Sequence, residues 1–330
     1  MTALRIISTR MAGAVLVIAA VALLIGWLLG VILSDRWTWT QWLSWIPSLM
    51  LIPTGLAWLL GTAMLPALRR AWAVGAILIL AGPMVFLVDN WRPHRPPLDP
   101  GPALTITQWT LGSVRVNEAD YAEALINADA DLSIIEGGRR VRWSPAVQDW
   151  LGENHPPLST GIFSVLTRLP VERLRSAVWA EGIHMAVLEV HGPGFEEEPL
   201  RLLLVDLPSD PNRNRQDIAR RFRALREKVD LDPVDLIMGD FNMTAGSAAL
   251  DSICPGFTRA WPESGSGWAP TFPREWPVFR LDHVFVGPRV TVSTIQTIDP
   301  GVGRHRLQVM TVRPRQDSTA TVMSGEGSDH

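Results

Sequence analysis

Three long apolar runs near the N-terminus of this 330-residue chain limit what it can fold into. They cover residues 11–33, 44–67 and 71–88, and none of them contains a charged residue. A run of about 20 apolar residues is long enough to cross a bilayer as a helix, and uncharged runs of this length are scarce in globular cores. The pattern therefore predicts three transmembrane helices within residues 1–90, with a soluble helical hairpin as the alternative.

Tryptophans and arginines lie at the ends of these runs. Tryptophan side chains favour the headgroup level of a bilayer, and four of them crowd the first connection: Trp37, Trp39, Trp42 and Trp45. Four flanking arginines lie on the N-terminal side of the bilayer and three on the other: Arg5, Arg10, Arg69 and Arg70 against Arg36, Arg92 and Arg95. Arginine enrichment marks the cytoplasmic side, so we expect a multi-pass protein of the cell membrane with an extracytoplasmic C-terminal domain. A reporter enzyme fused after Val312 tests this orientation, since it is expected to be active only when exported.

The composition changes after the third run. Residues 91–102 are rich in proline and predict a semi-rigid linker that holds the next domain off the membrane. Residues 103–313 alternate strand and helix patterns, which indicates one mixed α/β domain built on two packed sheets. Residues 314–330 are polar and are expected to be disordered. The net charge of −3 does not suggest a dedicated nucleic-acid binder, and the single cysteine excludes an internal disulfide.

The most informative strand pattern in this domain is the apolar run 234–243, which stops at Gly-Asp-Phe-Asn. Side chains alternate along a strand, so Asp240 and Asn242 should project to the same side. A carboxylate and a carboxamide placed together can bind a metal or a substrate oxygen. A simple turn is the alternative, because glycine, aspartate and asparagine are the usual turn residues.

Other apolar strand patterns also end in polar residues. Glu136 ends a strand pattern with three apolar positions, Leu132, Ile134 and Ile135, where a buried acid would be costly without a metal or an arginine as its partner. Thr110 ends an earlier strand pattern, Asp282 lies in Arg-Leu-Asp-His, and His305 opens the last strand pattern. Groups of these types could meet at one edge of a sandwich and form a hydrolytic site.

This order of motifs resembles the endonuclease/exonuclease/phosphatase superfamily, whose members share the DNase-I-like fold. The resemblance spans about residues 104–313, and Gly-Asp-Phe-Asn followed by Arg-Leu-Asp-His is its most specific part. With the apolar runs in front, the chain is similar to membrane-anchored bacterial members. The resemblance implies an α/β fold class, with three N-terminal transmembrane helices followed by a four-layer α/β sandwich. It also implies a phosphoesterase that uses Mg²⁺ or Mn²⁺.

The resemblance assigns a role to each matching residue. Glu136 matches the metal-binding glutamate of the family. Asp240 and Asn242 match the pair that orients the attacking water and contacts the phosphate. Asp282 matches the aspartate that supports the final histidine, and His305 matches that histidine.

Three positions depart from the family pattern. Thr110 stands where members carry asparagine, Asp206 where they carry a phosphate-contacting histidine, and Arg304 where they carry an aspartate. We expect these three residues to contact the substrate. The changes predict lower metal affinity and a single bound ion, with Arg304 supplying part of the positive charge.

Three functions are compatible with these residues. The leading one is a membrane-tethered hydrolase that cleaves a phosphate mono- or diester, including a lipid-linked one, with water activated by His305 and Asp282. The alternative is a catalytically impaired relative that binds anionic or phosphorylated ligands in the same cleft. A purely structural membrane protein would leave the co-occurrence of the site residues unexplained. The bilayer and a phosphorylated substrate are the expected partners, nucleic acid is less favoured, and no sequence feature indicates an oligomeric state.

Overall fold

The computed structural model describes residues 2–94, 101–112, 118–137, 144–229 and 233–315. The tail predicted from residue 314 therefore lies outside the described residues, except that Pro314 ends a strand instead of beginning the tail.

Four helices form the N-terminal part: α1 (Thr2–Leu33), α2 (Thr38–Ser44), α3 (Leu51–Met64) and α4 (Trp72–Asn90). Helix α1, and α4 together with the 3₁₀ turn before it, are long and apolar enough to cross a membrane. The second predicted span, residues 44–67, differs from the expectation, because α2 ends at Ser44 and α3 is reached through a 70° bend. Pro47 lies in the break, and proline disfavours helical geometry in the residue before it. Among the described residues, the number of candidate spans is therefore two, or three if the bent pair counts as one span.

Glycines allow the long helices to pack closely. A Cβ atom on Gly55 would lie 2.5 Å from the carbonyl oxygen of Gly75, where α3 meets α4. A Cβ atom on Gly13 would lie 2.7 Å from Cβ of Met64, where α1 meets α3. Small residues at such contacts are typical of helix pairs inside membranes.

The remaining chain folds into two β-sheets with short helices. The strands of the first half are β1 (Trp91–Arg92), β2 (Leu104–Thr110), β3 (Leu132–Glu136), β4 (Leu158–Thr160), β5 (Phe163–Thr167), β6 (Val171–Ala180) and β7 (Ile183–Val190). Those of the second half are β8 (Leu200–Asp206), β9 (Leu236–Asp240), β10 (Thr258–Arg259), β11 (Gly265–Trp268), β12 (Asp282–Val286), β13 (Val290–Ile298) and β14 (Leu307–Pro314). The helices are α5 (Glu118–Ala128), α6 (Pro145–Leu151), α7 (Arg215–Lys228), α8 (Ala248–Ile253) and α9 (Ala260–Ser264).

The sheets stack face to face and carry helices on their outer faces. One sheet has the order β1-β11-β13-β14-β2-β3-β5-β4 and the other β10-β12-β9-β8-β7-β6. Side chains such as Ile106 and Leu204 fill the space between the sheets. Trp109 packs with Tyr121 and Leu125 of α5 on one outer face, and Val205 packs with Phe222 of α7 on the other. The structure is thus the four-layer α/β sandwich expected from the sequence.

Strand register brings several polar strand ends to one edge of this sandwich. Strands β2 and β3 are parallel, with Thr110 opposite Glu136. Strands β8 and β9 are also parallel, with Asp206 opposite Asp240. Strand β12 is antiparallel to β9 and places Asp282 opposite Asp240. The loops that follow β8 and β9 leave the sandwich at this same edge.

The N-terminal helices dock on those two loops. Asp35, which follows α1, accepts a hydrogen bond from the backbone N–H of Ala249 (3.1 Å) and from the Ser247 hydroxyl. Gln41 in α2 is 1% exposed and donates to the carbonyl oxygen of Pro211 (2.6 Å). Its side-chain oxygen accepts from the backbone N–H of Arg215 (3.1 Å). The sandwich is therefore joined to the helices by buried hydrogen bonds.

The beginning of the predicted linker also belongs to this junction. Strand β1 pairs with β11 and so extends the eight-stranded sheet. Phe86 of α4 packs on Trp268 with ring centroids 5.3 Å apart. The expectation of a spacer from residue 91 is thus wrong for Trp91–Arg92, because their backbone groups are used in a sheet; residues 95–100 lie outside the described residues.

We predict that Gln41→Leu destabilises the full-length protein. The substitution keeps a side chain of similar size but leaves buried backbone groups of the β8–α7 loop unpaired, at a cost of about 2 kcal/mol. The melting temperature of the detergent-solubilised protein should fall. Gln148→Leu on the exposed face of α6 is the matched control and should have little effect. Equal melting temperatures for the two variants would contradict the prediction that the hydrogen bonds of Gln41 stabilise the protein.

Candidate active site

A buried aspartate–histidine pair lies at the edge where the polar strand ends meet. Nδ1 of His305 is 2.8 Å from Oδ2 of Asp282. The other carboxylate oxygen of Asp282 accepts hydrogen bonds from the Thr110 hydroxyl (2.7 Å) and the Gln108 amide (3.1 Å). Since Asp282 is an acceptor, it holds the proton of the imidazole on Nδ1 and leaves Nε2 free to accept one. Nε2 points toward Asp240, whose Oδ2 lies 3.9 Å away.

The charges of this pair support one another. Burial alone would raise the pKa of Asp282, but His305 and the hydroxyls of Thr110 and Thr271 outweigh it and lower that pKa to about 2. Burial alone would lower the pKa of His305, but the negative charges of Asp282 and Asp240 outweigh it and raise that pKa. The imidazole is therefore a stronger base than an exposed histidine, as a proton acceptor in hydrolysis requires.

Three carboxylates face this pair across the edge. Glu136, Asp206 and Asp240 each offer one oxygen atom, and these oxygens all lie within 4.8 Å of one another. Burial and the neighbouring acids raise the pKa of Glu136 well above its usual value. Burial, together with Asp282, raises the pKa of Asp240 to about 8. Repulsion of this kind is relieved by a bound cation, so the cluster is a candidate metal site.

Asp240 and Asn242 are not arranged as the simple alternation predicted. Asn242 adopts a left-handed backbone conformation with φ of 50°, which asparagine tolerates better than most residues. Its backbone N–H donates to Oδ1 of Asp240 (2.8 Å), and its side-chain amide donates to the carbonyl oxygen of Leu207 (2.9 Å). The predicted turn is therefore present, and it orients the Asp240 carboxylate, while the role of the pair in a site stays a prediction.

Arg304 lies at the exposed rim of the site, next to His305. Its guanidinium carbon is 5.7 Å from the centre of the Phe272 ring, and that ring is 4.9 Å from the His305 ring. The positive charge of Arg304 opposes the rise in the pKa of His305. This position allows Arg304 to reach a substrate that enters the cleft.

The other two residues assigned to substrate contact have protein partners. The hydroxyl of Thr110 donates to Asp282, and Thr110 is buried. Asp206 belongs to the carboxylate cluster and is hydrogen-bonded to Nδ1 of His184 (2.9 Å). Direct substrate contact by Thr110 and Asp206 thus stays a prediction, while the structure shows them supporting the dyad and the cluster.

Sequence reasoning missed two residues of the site, Gln108 and His184. Gln108 lies two positions before Thr110, so strand alternation could have placed it on the same face. His184 had no such signal, since it lies opposite Asp206 only through the pairing of β7 with β8. The hydrogen bond between His184 and Asp206 therefore follows from strand register, which a local sequence pattern does not encode.

Comparison with known proteins identifies the family of this chain. The model of the Endonuclease/Exonuclease/phosphatase family matches residues 143–330, which is more than half of the chain. The chain belongs to the endonuclease/exonuclease/phosphatase family. Among curated proteins no match was found.

Solved structures of this family share the fold. A family protein from Bacteroides thetaiotaomicron is 11% identical with a TM-score of 0.50, over 64% of this chain and 98% of that one. TDP2 of D. rerio, humanised by 14 mutations, is 18% identical with a TM-score of 0.48, over 64% and 99%. A mannosyl-6-phosphatase of B. thetaiotaomicron is 12% identical with a TM-score of 0.48, over 64% and 100%. The first of these similarities supports the DNase-I-like sandwich fold of this chain.

We predict that Asp282→Asn lowers the pKa of His305. Without the carboxylate charge, burial favours the neutral imidazole, so His305 should lose its proton at lower pH than in the wild type. An NMR pH titration of histidine-labelled protein in detergent measures this. Asp149→Asn, on the exposed face of α6, is the control and should leave the titration of His305 unchanged. An unshifted His305 in Asp282→Asn would contradict the assigned dyad.

Proposed function

We propose that this family member is a membrane-tethered, metal-dependent phosphoesterase that hydrolyses a lipid-linked phosphate mono- or diester. The observation that carries the proposal is the placement of the dyad and the carboxylate cluster at the edge of the sandwich that docks on the N-terminal helices. A site at that edge lies beside the headgroup layer if α1 and α4 span a bilayer. Soluble substrates would not require this position.

The carboxylate cluster fits a divalent cation. Mg²⁺ and Mn²⁺ prefer oxygen ligands, and Glu136, Asp206 and Asp240 supply three of them. Oε2 of Glu136 is buried without a hydrogen-bond partner among the described residues, as expected of an atom reserved for a metal. Asp206 adds a carboxylate where relatives carry histidine, which offsets the ligand lost at Arg304. When bound, such an ion would neutralise charge that develops on the phosphate oxygens.

The protein side chains divide the remaining work. Nε2 of His305 is free to take a proton from the attacking water, and Asp282 stabilises the imidazolium that results. Asp240 lies close enough to His305 to orient that water. Arg304 presents a guanidinium fork to the phosphate oxygens from the rim.

The position of the site next to the helices supports a lipid-linked substrate. The loops that follow β8 and β9 carry Leu207 to Asn214 and Phe241 to Ser247, and both contact the α1–α2 region. A phosphate carried on a membrane lipid would reach the cleft without leaving the bilayer surface. In this proposal the surface faces the extracytoplasmic side, as predicted from the arginine count.

A catalytically impaired relative that binds anionic ligands is the second candidate. Arg304 favours it, because the family's carboxylate is replaced there by a cation. Asp206 and the intact hydrogen bond between His305 and Asp282 favour the hydrolase. The hydrolase would turn over a phosphorylated substrate, whereas the impaired relative would bind its ligand without turnover.

We predict hydrolysis that needs Mg²⁺ or Mn²⁺ and stops when EDTA is added. The assay uses full-length protein in detergent, because removing the helices would expose the groups of the sandwich that are hydrogen-bonded to Asp35 and Gln41. Substrates are a nitrophenyl phosphate, a bis-nitrophenyl phosphate and a polyprenyl phosphate, which is a lipid-linked monoester. Asp206→Asn should raise the metal concentration for half-maximal rate about tenfold by weakening one charged ligand. Asp149→Asn is the control, and turnover that survives EDTA would reject the metal-dependent mechanism.

We also predict that Arg304→Ala lowers the turnover rate about a hundredfold, on the order of 3 kcal/mol of lost charge stabilisation. Arg304→Lys should retain part of the rate, since it keeps the charge but loses the fork. Arg220→Ala, on the exposed face of α7, removes an equal charge elsewhere and is the control. If the wild type is inactive with both metals and the double variant Arg304→Asp, Thr110→Asn gains turnover, the impaired-relative candidate is correct.

A further inference from the structure

A cavity of about 370 Å³ lies between the N-terminal helices and the sandwich. Its apolar wall comes from the ends of α1 and α4 and from the segment between α2 and α3, and includes Trp27, Val31 and Phe86. Its polar wall carries Arg92, Arg259 and Arg280. None of the residues of the dyad or the carboxylate cluster lines it. The cavity is therefore separate from the cleft described above.

Arg280 is a buried cation without a full set of partners. It is 7% exposed, and neither Nε nor Nη1 has a hydrogen-bond partner among the described residues. Burial, followed by the charges of Arg259 and Arg92, lowers the pKa of Arg280 to about 9. A buried, unpaired charge is costly, so a fold that retains one usually supplies a partner of opposite charge.

The two neighbouring arginines are held in place by the protein but keep donors available. Nη1 of Arg259 donates to the carbonyl oxygen of Ala245 (2.7 Å), and its Nη2 is 3.2 Å from Asp251. Nη1 of Arg92 donates to the carbonyl oxygens of Val88 (2.7 Å) and Trp91 (2.9 Å). A guanidinium has five N–H donors, so each still has some to offer.

The charge balance of the cavity favours an anion. Three arginines line it against Asp89, and Arg259 is also paired with Asp251 outside the lining, which leaves an excess of one positive charge (three minus two). Guanidinium forks match the oxygens of a phosphate, and two or three of them around one cavity are typical of phosphate recognition.

The position of the cavity at the helix ends indicates that the phosphate belongs to a membrane lipid. It lies where α1 and α4, the two helices long enough to span a membrane, both end. Trp39, Trp42 and Trp91 are exposed near these helix ends, as expected at the headgroup level. The apolar wall continues into the helices, where an acyl chain could lie.

We propose that this cavity binds the phosphate of an anionic membrane lipid between Arg92, Arg259 and Arg280. The lipid connects the helices to the sandwich and neutralises Arg280. The proposal rests on the membrane insertion of α1 and α4 but not on hydrolysis. The lipid in this cavity is a bound ligand and not the substrate.

The test is native mass spectrometry of the full-length protein in detergent, titrated with phosphatidylglycerol or with phosphatidylcholine. We expect the wild type to retain one phosphatidylglycerol and to discriminate against phosphatidylcholine. The double variant Arg92→Gln, Arg259→Gln should bind phosphatidylglycerol about tenfold more weakly or worse. It leaves buried Arg280 in place, which avoids a change in the core. The control is Arg175→Gln on the exposed face of β6, which should bind as the wild type does.

Two further arms separate this site from the alternatives. His305→Ala should retain the lipid, because the cavity is separate from the cleft. Loss of the lipid in that variant would place the lipid in the cleft and overturn the proposal.

In the second arm, inorganic phosphate is titrated alone with the melting temperature as the readout. Stabilisation by phosphate that the double variant abolishes, without any preference among lipids, would assign the cavity to a free anion and overturn the lipid assignment. Equal binding of phosphatidylglycerol by the wild type and the double variant would also overturn it. Lipid retention is measured without turnover, so its failure is distinct from a failure of the hydrolase proposal.

Discussion

The carboxylate of Asp282 is the group on which the rest of the site depends. It belongs to the first residue of β12 in the six-stranded sheet, and it is hydrogen-bonded by Gln108 and Thr110 of β2 in the opposite sheet. The same carboxylate holds His305, which lies two residues before β14. An ionised acid that is 1% exposed is tolerated because each of its oxygens has a donor. Through Asp282, the packing of the two sheets against each other sets the direction of the imidazole and the proton affinity of Nε2.

The junction with the N-terminal helices gives this edge of the sandwich a second role. The loops after β8 and β9 start at the carboxylates of Asp206 and Asp240 and reach Asp35 and Gln41 within a few residues. Because those contacts are buried, the helices orient the cleft and do not merely tether it. The loop after β9 starts at Asp240 of the proposed metal site and contributes Thr244, Ala245 and Gly246 to the wall of the proposed lipid cavity. In our proposals, this loop therefore connects the cleft to the bilayer surface.

Two departures from the family pattern have a structural explanation. Thr110 has a hydroxyl where relatives have an amide. Thr110 and Gln108 each donate a hydrogen bond to Asp282, and the bond from the Thr110 hydroxyl is the shorter of the two. Asp206 has a carboxylate where relatives have an imidazole, and His184 on the neighbouring strand supplies an imidazole beside it. Taken position by position, both changes look like losses. In the folded protein, however, Thr110 is bonded to Asp282 and an imidazole lies beside Asp206.

Local patterns in the sequence determined the apolar helices, the α/β class and the residue types of the site, because hydrophobic period and motif chemistry act over a few residues. They predicted Glu136, Asp240, Asp282 and His305 as one group. Only the tertiary structure decided that Asp206 joins the carboxylates, that His184 supports it, and that α2 and β1 dock on the sandwich. These contacts depend on pairing between residues that are far apart in the chain, such as Gln41 and Arg215. Register and docking are set by the packing of whole sheets and helices, and no local pattern encodes them.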